Sequence, residues 1–179
     1  MIEVVEHRSE WADQFEFLAE RYRSALRAIP VVAIEHVGST SVSGLAAKPV
    51  IDIDVVVERT SVPSASAGLQ SIGYQPKGEQ GIVDRFAFRE PAASIRTNTY
   101  VVVAGSIALR NHLAVRDALR ADAELRHEYA ALKRHLAERT DDVGVYVEGK
   151  SALIQRVLAD AGLSPEELAN IEAENRPSG

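Results

Sequence analysis

The chain has no cysteine, one methionine and one tryptophan, and aromatic residues fill only 6% of its 179 positions. The missing thiols exclude disulfides and thiolate metal sites. No hydrophobic run is long enough to cross a bilayer, and the opening MIEVVEHRSEW lacks the apolar segment of a secretory leader. A cytoplasmic protein with no membrane partner is therefore expected. Positive charge is also short, with 20 Lys and Arg against 26 Asp and Glu and a formal net charge of −6. Non-specific attraction to nucleic acid needs a basic stripe that displaces counterions, so nucleic acid is not the expected partner and a small or nucleotide-sized ligand fits better. G-x-S-x-G, H-E-x-x-H and a G-x-G-x-x-G after a strand are all lacking. What is present is a globular composition, 46% hydrophobic and 26% charged, at a length that buries the core of one domain.

The most informative stretch is Val37 to Val57, VGSTSVSGLAAKPVIDIDVVV. Side chains alternate along a strand, so Asp52 and Asp54 share one face while Ile51, Ile53 and Val55 share the other. Two carboxylates held together repel unless a cation lies between them, and their oxygens suit Mg²⁺ or Mn²⁺. The alternative is a solvated strand end, or pairing with Lys48 and an arginine. Gly38 and Ser39 favour the first reading: a Gly-Ser turn followed by a helical turn can aim backbone N–H groups and a hydroxyl at phosphate. Lys48 is either a phosphate contact or a solvated lysine. His36, just before the turn, is expected to bond to backbone, with contact to a ligand as the other reading.

Around this stretch the periodicity predicts a helix over Ser9 to Ala28, capped by Ser9, with Trp11, Phe15, Leu18 and Tyr22 on its packing face. Val31 to Val37 reads as a strand, Val62 to Ile72 as a helix, and Ile82 to Arg89 with Ile95 to Val103 as a hairpin across Glu90 to Ser94. The last third reads as helices over Ser106 to Ala121, Ala123 to Thr140, Asp142 to Ala161 and Ser164 to Glu174, the last opened by a Ser164/Glu167 capping box. His112, Arg116 and Arg120, spaced by four, share a helix face that lines either a cleft or a salt-bridged surface. Lys133, Arg134 and Arg139 are expected on a solvated face. Residues 144 to 151, GVYVEGKS, satisfy the P-loop expression. They lack the strand before and the βα units after that a P-loop needs, and Glu148 would repel phosphate.

Hydrophobic-Gly-Ser followed by Asp-hydrophobic-Asp resembles the signature of the polymerase-β-like nucleotidyltransferase superfamily. More narrowly, IEHVGSTSVSGLAAKPVIDI (Ile34 to Ile53), ALRNHLAVRDALR (Ala108 to Arg120), EYAALKRHLA (Glu128 to Ala137) and YVEGKSALI (Tyr146 to Ile154) resemble the GrpB family, whose members are also found fused to some dephospho-CoA kinases. The resemblance implies an α/β (α+β) domain over residues 1–161, a mixed sheet of four or five strands packed by helices, followed by an acidic helix and tail over 162–179. It implies a metal-dependent enzyme that binds a nucleoside triphosphate and passes a nucleotidyl group to the hydroxyl of an unknown small-molecule or protein acceptor. Asp52 and Asp54 would hold Mg²⁺ or Mn²⁺. Gly38, Ser39, Lys48, His112, Arg116 and Lys150 would meet the phosphates, with Tyr146 beside Lys150 facing the cleft. Relatives also carry histidine, and active polymerase-β-like enzymes a third acid, on the strand where this chain has Arg96-Thr97-Asn98-Thr99-Tyr100. That departure keeps a second reading open, a module that holds a nucleotide or CoA-like ligand, or assists a partner protein, without turnover.

Overall fold

The computed structural model describes residues 2–92 and 94–175. Five strands form one mixed sheet in the order β1-β2-β5-β4-β3. They are β1 (Val31–Val37), β2 (Ile51–Val57), β3 (Gln75–Gly78), β4 (Arg85–Arg89) and β5 (Thr97–Val103). Only the β2–β5 pair is parallel. The two helices α1 (Glu10–Ala25) and α2 (Val62–Ser71) are joined in the last third by α3 (Ile107–Ala121), α4 (Ala123–Arg139), α5 (Val143–Glu148), α6 (Ser151–Asp160) and α7 (Pro165–Asn175).

The alternation along β2 divides the molecule. Ile51, Ile53, Val55 and Val57 bury one face against Trp11, Phe15, Leu18 and Tyr22 of α1 and against Ala65 and Leu69 of α2. The other face presents Asp52 and Asp54 together with Val56, which packs on Ala108 and Leu109 of α3. The acid pair thus looks into the helical last third. A buried hydroxyl chain ties α1 to the sheet: Tyr22 Oη lies 2.7 Å from Tyr74 Oη and 2.8 Å from Thr99 Oγ1.

Several boundaries differ from the sequence reading. α1 stops at Ala25, and Ser9 has helical dihedrals with no side-chain cap bond, so acidic residues of the first turn take over the favourable charge at that end. The strand expected from Ile82 begins at Arg85, because Asp84 adopts φ +67° in a turn held by a bidentate bond from Arg59 at 2.6 and 2.7 Å. β3 carries no apolar alternation and went unread; Pro76 confines it to the sheet edge. The single helix expected over Asp142 to Ala161 is two, broken at Gly149 and Lys150, where a Cβ on Gly149 would crowd Leu136 of α4. The capping box of α7 is present, with Ser164 N donating to Glu167 Oε2 at 2.8 Å and Glu167 N to Ser164 Oγ at 3.3 Å. Ala93 of the hairpin connection and the terminal Pro177-Ser178-Gly179 lie outside the described residues.

Candidate functional site

Gly38 is held at φ +67° and ψ −175°, a conformation reserved for glycine, between β1 and a single 3-10 turn over Ser39–Ser41. It lies so close to β2 that a Cβ there would stand 2.6 Å from Asp52 Cγ. The turn and the first acid are therefore packed directly together. Asn98, the residue across from Asp52 on β5, donates its amide to Asp52 Oδ1 at 2.7 Å. Burial holds the Asp52 carboxyl above the ordinary range, opposed by the Asn98 hydrogen bond and by the His112 charge.

Asp54 is fully buried, and its Oδ2 takes a 2.7 Å bond from His112 Nδ1 on α3. Burial works against a charged His112, yet the charge and hydrogen bond of Asp54 prevail and raise its proton affinity. Asp54 Oδ1 has no hydrogen-bond partner among the described residues. A buried carboxylate oxygen without a partner is costly unless a cation or donor meets it. No group of three or more His, Asp or Glu suited to hold a metal ion occurs among the described residues. The carboxylate oxygens left for a divalent ion would be Asp54 Oδ1 and the oxygen of Asp52 that Asn98 does not bond, and the rest of its shell would have to come from substrate or water.

Both the turn and Asp52 open into a cavity of about 260 Å³ whose wall includes Lys48, Asn98, Tyr100, His112, Tyr129, Lys133, Tyr146 and Lys150. Three lysines and three tyrosines thus surround one carboxylate edge. Lys150 Nζ lies 4.6 Å and Lys48 Nζ 5.3 Å from the centre of the Tyr146 ring. Burial and the neighbouring Lys48 bring the Lys150 ammonium down to about 8. Burial also pushes the hydroxyls of Tyr100 and Tyr146 up to about 12, so both remain neutral donors.

Lys133 is the residue that sequence reading misplaced. Assigned to a solvated face, it is 2% exposed, donates to Ser39 Oγ at 3.0 Å and to the Ala46 carbonyl, and lies over the Tyr129 ring at 4.6 Å. Burial, with Lys150 and Arg134 adding repulsion, lowers its ammonium to about 7. The signal was available: Lys133 follows Tyr129 by four within the apolar stripe of Leu125, Tyr129, Ala130 and Leu132, the face that α4 turns to the core.

His36 bonds to a side chain rather than to backbone, its Nε2 lying 3.1 Å from Thr40 Oγ1 and its ring stacked on Phe15 at 4.6 Å. Burial and the positive charges of Arg120 and Arg116 lower it to about 4, so it stays neutral. The stripe of three on α3 divides. His112 enters the site, whereas Arg116 is taken by Glu35 at 2.6 Å and Asp117 at 2.8 Å, and Arg120 holds the Ser41 carbonyl at 2.9 Å. The two arginines brace the turn from behind and do not line the cavity. The P-loop-like residues 144 to 151 run through α5, the break after it and the first residue of α6. A larger groove of about 760 Å³ between α3, α4 and α6 shares no residue with the carboxylate site.

The sequence profile described as GrpB protein matches residues 1–160. The UPF0157 protein YqkA of Bacillus subtilis is 34% identical over 158 residues, covering 86% of this chain, and the chain spans only 45% of that relative's length. The UPF0157 protein BH1888 of Halalkalibacterium halodurans is 36% identical over 167 residues, covering 89% of this chain and 82% of the relative. The crystal structure of conserved protein GrpB from Enterococcus faecalis superposes with a TM-score of 0.78 at 30% identity, covering 94% of this chain and 99% of that one. The Cid1 poly(U) polymerase bound to MgGTP matches with a TM-score of 0.56 at 18% identity over 76% of this chain and 45% of its own, a likeness of fold.

Proposed function

Given that the chain belongs to the GrpB family and has a nucleotidyltransferase-like fold, we propose that it binds the phosphates of a nucleoside triphosphate in the lysine-lined cavity and transfers the nucleotidyl group to an acceptor hydroxyl. The observation that carries this reading is the convergence on one cavity of Gly38, Ser39, Asp52 and the three lysines, beside a buried Asp54 with one unpartnered oxygen. Lys48, Lys133 and Lys150 oppose the charge of the phosphates. Gly38 leaves room for a phosphate to approach the backbone, and Ser39 adds a hydroxyl. Asp52 and Asp54 would hold Mg²⁺ or Mn²⁺, which when bound supplies positive charge against the phosphate oxygens. Asn98 and His112 fix the rotamers of the two acids. The acceptor oxygen forms a bond to the α-phosphorus as the bond to pyrophosphate breaks, and the hydroxyl proton passes to water. Catalysis rests on positioning and charge, with no protein nucleophile.

Binding without turnover is the second reading, favoured by one specific feature: an amide, Asn98, stands opposite Asp52 where an acid would have added a third ligand. Incubation with labelled nucleoside triphosphates, Mn²⁺ or Mg²⁺ and a panel of hydroxyl acceptors separates the two. Transfer that disappears in Asp52→Asn supports the enzyme. Metal-dependent binding with no consumed nucleotide supports the binder, and failure of nucleotide and pyrophosphate to bind sinks both.

A further inference from the structure

The sheet order places two kinds of positive charge on opposite sides of the acids. β1 brings Gly38 and Ser39 to one edge of β2, where Lys133 closes over them; on the other edge come β5, with Asn98 and Tyr100, and then β4. Arg85 is the first residue of β4. It stands across from Val102, which packs on α3, so it shares the face of the carboxylates. Its guanidinium lies over the Tyr100 ring, 4.5 Å from the centre. That ring is in turn 5.9 Å from the ring of His112, the partner of Asp54.

Arg85 rests on an aromatic face and has no anion to answer its charge. Arg59 is taken by Asp84 and Arg110 by Glu167, but among the described residues no carboxylate pairs with Arg85, and its Nε is buried without an acceptor. A guanidinium carries five donors in a rigid fork whose natural complement is the pair of oxygens of a carboxylate or phosphate. The lysine cavity already accounts for the phosphates of the nucleotide, and Arg85 lies on the far side of the acids from Ser39. We propose that Arg85 marks the acceptor side of the site, and that the acceptor carries an anionic group, a carboxylate or a phosphate, close to the hydroxyl that reacts. This rests on the nucleotidyl-transfer reading above. A neutral polyol would leave the guanidinium with the Tyr100 ring but no anion, whereas a hydroxy acid or a phosphorylated polyol would fill its fork.

Three compounds that share a vicinal diol and differ in the third group test the idea: glycerol with a neutral hydroxymethyl, glycerate with a carboxylate and glycerol 3-phosphate with a phosphate. Each is titrated calorimetrically into the full chain preloaded with one equivalent of pyrophosphate. The expected result is that at least one of the two anions binds about tenfold or more tighter than glycerol. Arg85→Met should bring that anion to the level of glycerol while pyrophosphate affinity changes less than about twofold, and Arg85→Lys should restore part of the difference. Preference for glycerate or for glycerol 3-phosphate then names the group. A second measurement needs no variant: the Arg85 Nε–Hε resonance of the wild-type chain should shift on adding the preferred anion and not on adding glycerol. Equal binding of all three, no binding of either anion, or anion binding that survives in Arg85→Met would overturn the proposal. Loss of pyrophosphate binding in the wild type would instead strike the nucleotide reading, so the two failures are told apart.

Discussion

Lys133 carries a buried ammonium at the cavity wall, between the Ser39 hydroxyl, the Ala46 carbonyl and the Tyr129 ring. With its proton affinity brought down to about 7 in the folded state, the unfolded chain binds the extra proton between that pH and the ordinary lysine value. Stability from this residue therefore rises as pH goes up across the window from about 7 toward 10, and Lys150, brought down to about 8, adds in the same direction. Urea unfolding of the wild type and of Lys133→Met at intervals across that range should show the variant with the flatter rise. A steeper rise in the variant would reverse the assignment. The same groups couple ligand to proton: at pH 8 a pyrophosphate in the cavity should draw protons onto both lysines. Calorimetry in buffers of different ionisation enthalpy should then give net proton uptake, reduced in Lys133→Met. Gly38 makes the companion prediction. Alanine there meets both a positive φ and Asp52, with a Cβ 2.8 Å from that of the acid. Gly38→Ala should lose roughly 1–3 kcal/mol in a denaturant melt and weaken pyrophosphate binding with it.

Among the elements, α5 has the least support of its own, six residues whose N-terminus is held by Asp142 accepting from Val145 N at 3.1 Å. It carries Tyr146, on which Lys48 and Lys150 rest. Asp142→Ala should cost about 1 kcal/mol in global stability, and amide exchange should speed up in 143–148 before it does in α3. Uniform exchange across both helices would show that α5 does not open separately. The break after α5 also marks where sequence reading runs out. Gly149 has ordinary helical dihedrals and no proline follows, so nothing local announces the break; it arises where α5 and the Leu136 side chain of α4 meet. Local chemistry was readable where it is local. The alternation of Ile51 to Val57 gave the strand and the shared face of its two acids, the capping box gave α7, and the spacing of Trp11, Phe15, Leu18 and Tyr22 gave the packing face of α1. What depends on partners far along the chain was not: Asn98 on Asp52, Lys133 on Ser39, and Glu35 drawing Arg116 away from the cavity are separated by 46, 94 and 81 positions. Charge alternation suggested solvent for Lys133, although its place in an apolar stripe pointed inward.

At the scale of the molecule, an acidic chain encloses a basic cavity, and the two acids beside it stand as an internal strain on the fold. Asp52 and Asp54 share a face, Asp54 is 0% exposed with an oxygen that no described residue meets, and the hydrogen bonds that offset them come from one histidine and one amide, with the Lys150 charge acting on Asp52 alone. A fold stabilised by its own contacts alone would do better without one of these charges. Replacing Asp52 by Asn removes the like-charge repulsion while an amide can still bond to Asn98, so in chelator Asp52→Asn should melt at or above the wild-type temperature. Adding Mn²⁺ should reverse the order. The wild type gains stability by mass action, about 2.7 kcal/mol at a free ion concentration a hundredfold above Kd, whereas the variant, with one carboxylate oxygen fewer for the ion, gains less. Thermal melts of both proteins in chelator and in a Mn²⁺ series, with and without pyrophosphate, measure the crossing directly. A wild type more stable than Asp52→Asn in chelator and indifferent to Mn²⁺ would make the acid pair part of the scaffold, balanced by His112, Asn98 and the nearby lysine charge. The crossing would instead mean that the fold gives up stability to keep two carboxylates ready for an ion, and that the cavity beside them is completed only when its ligand arrives.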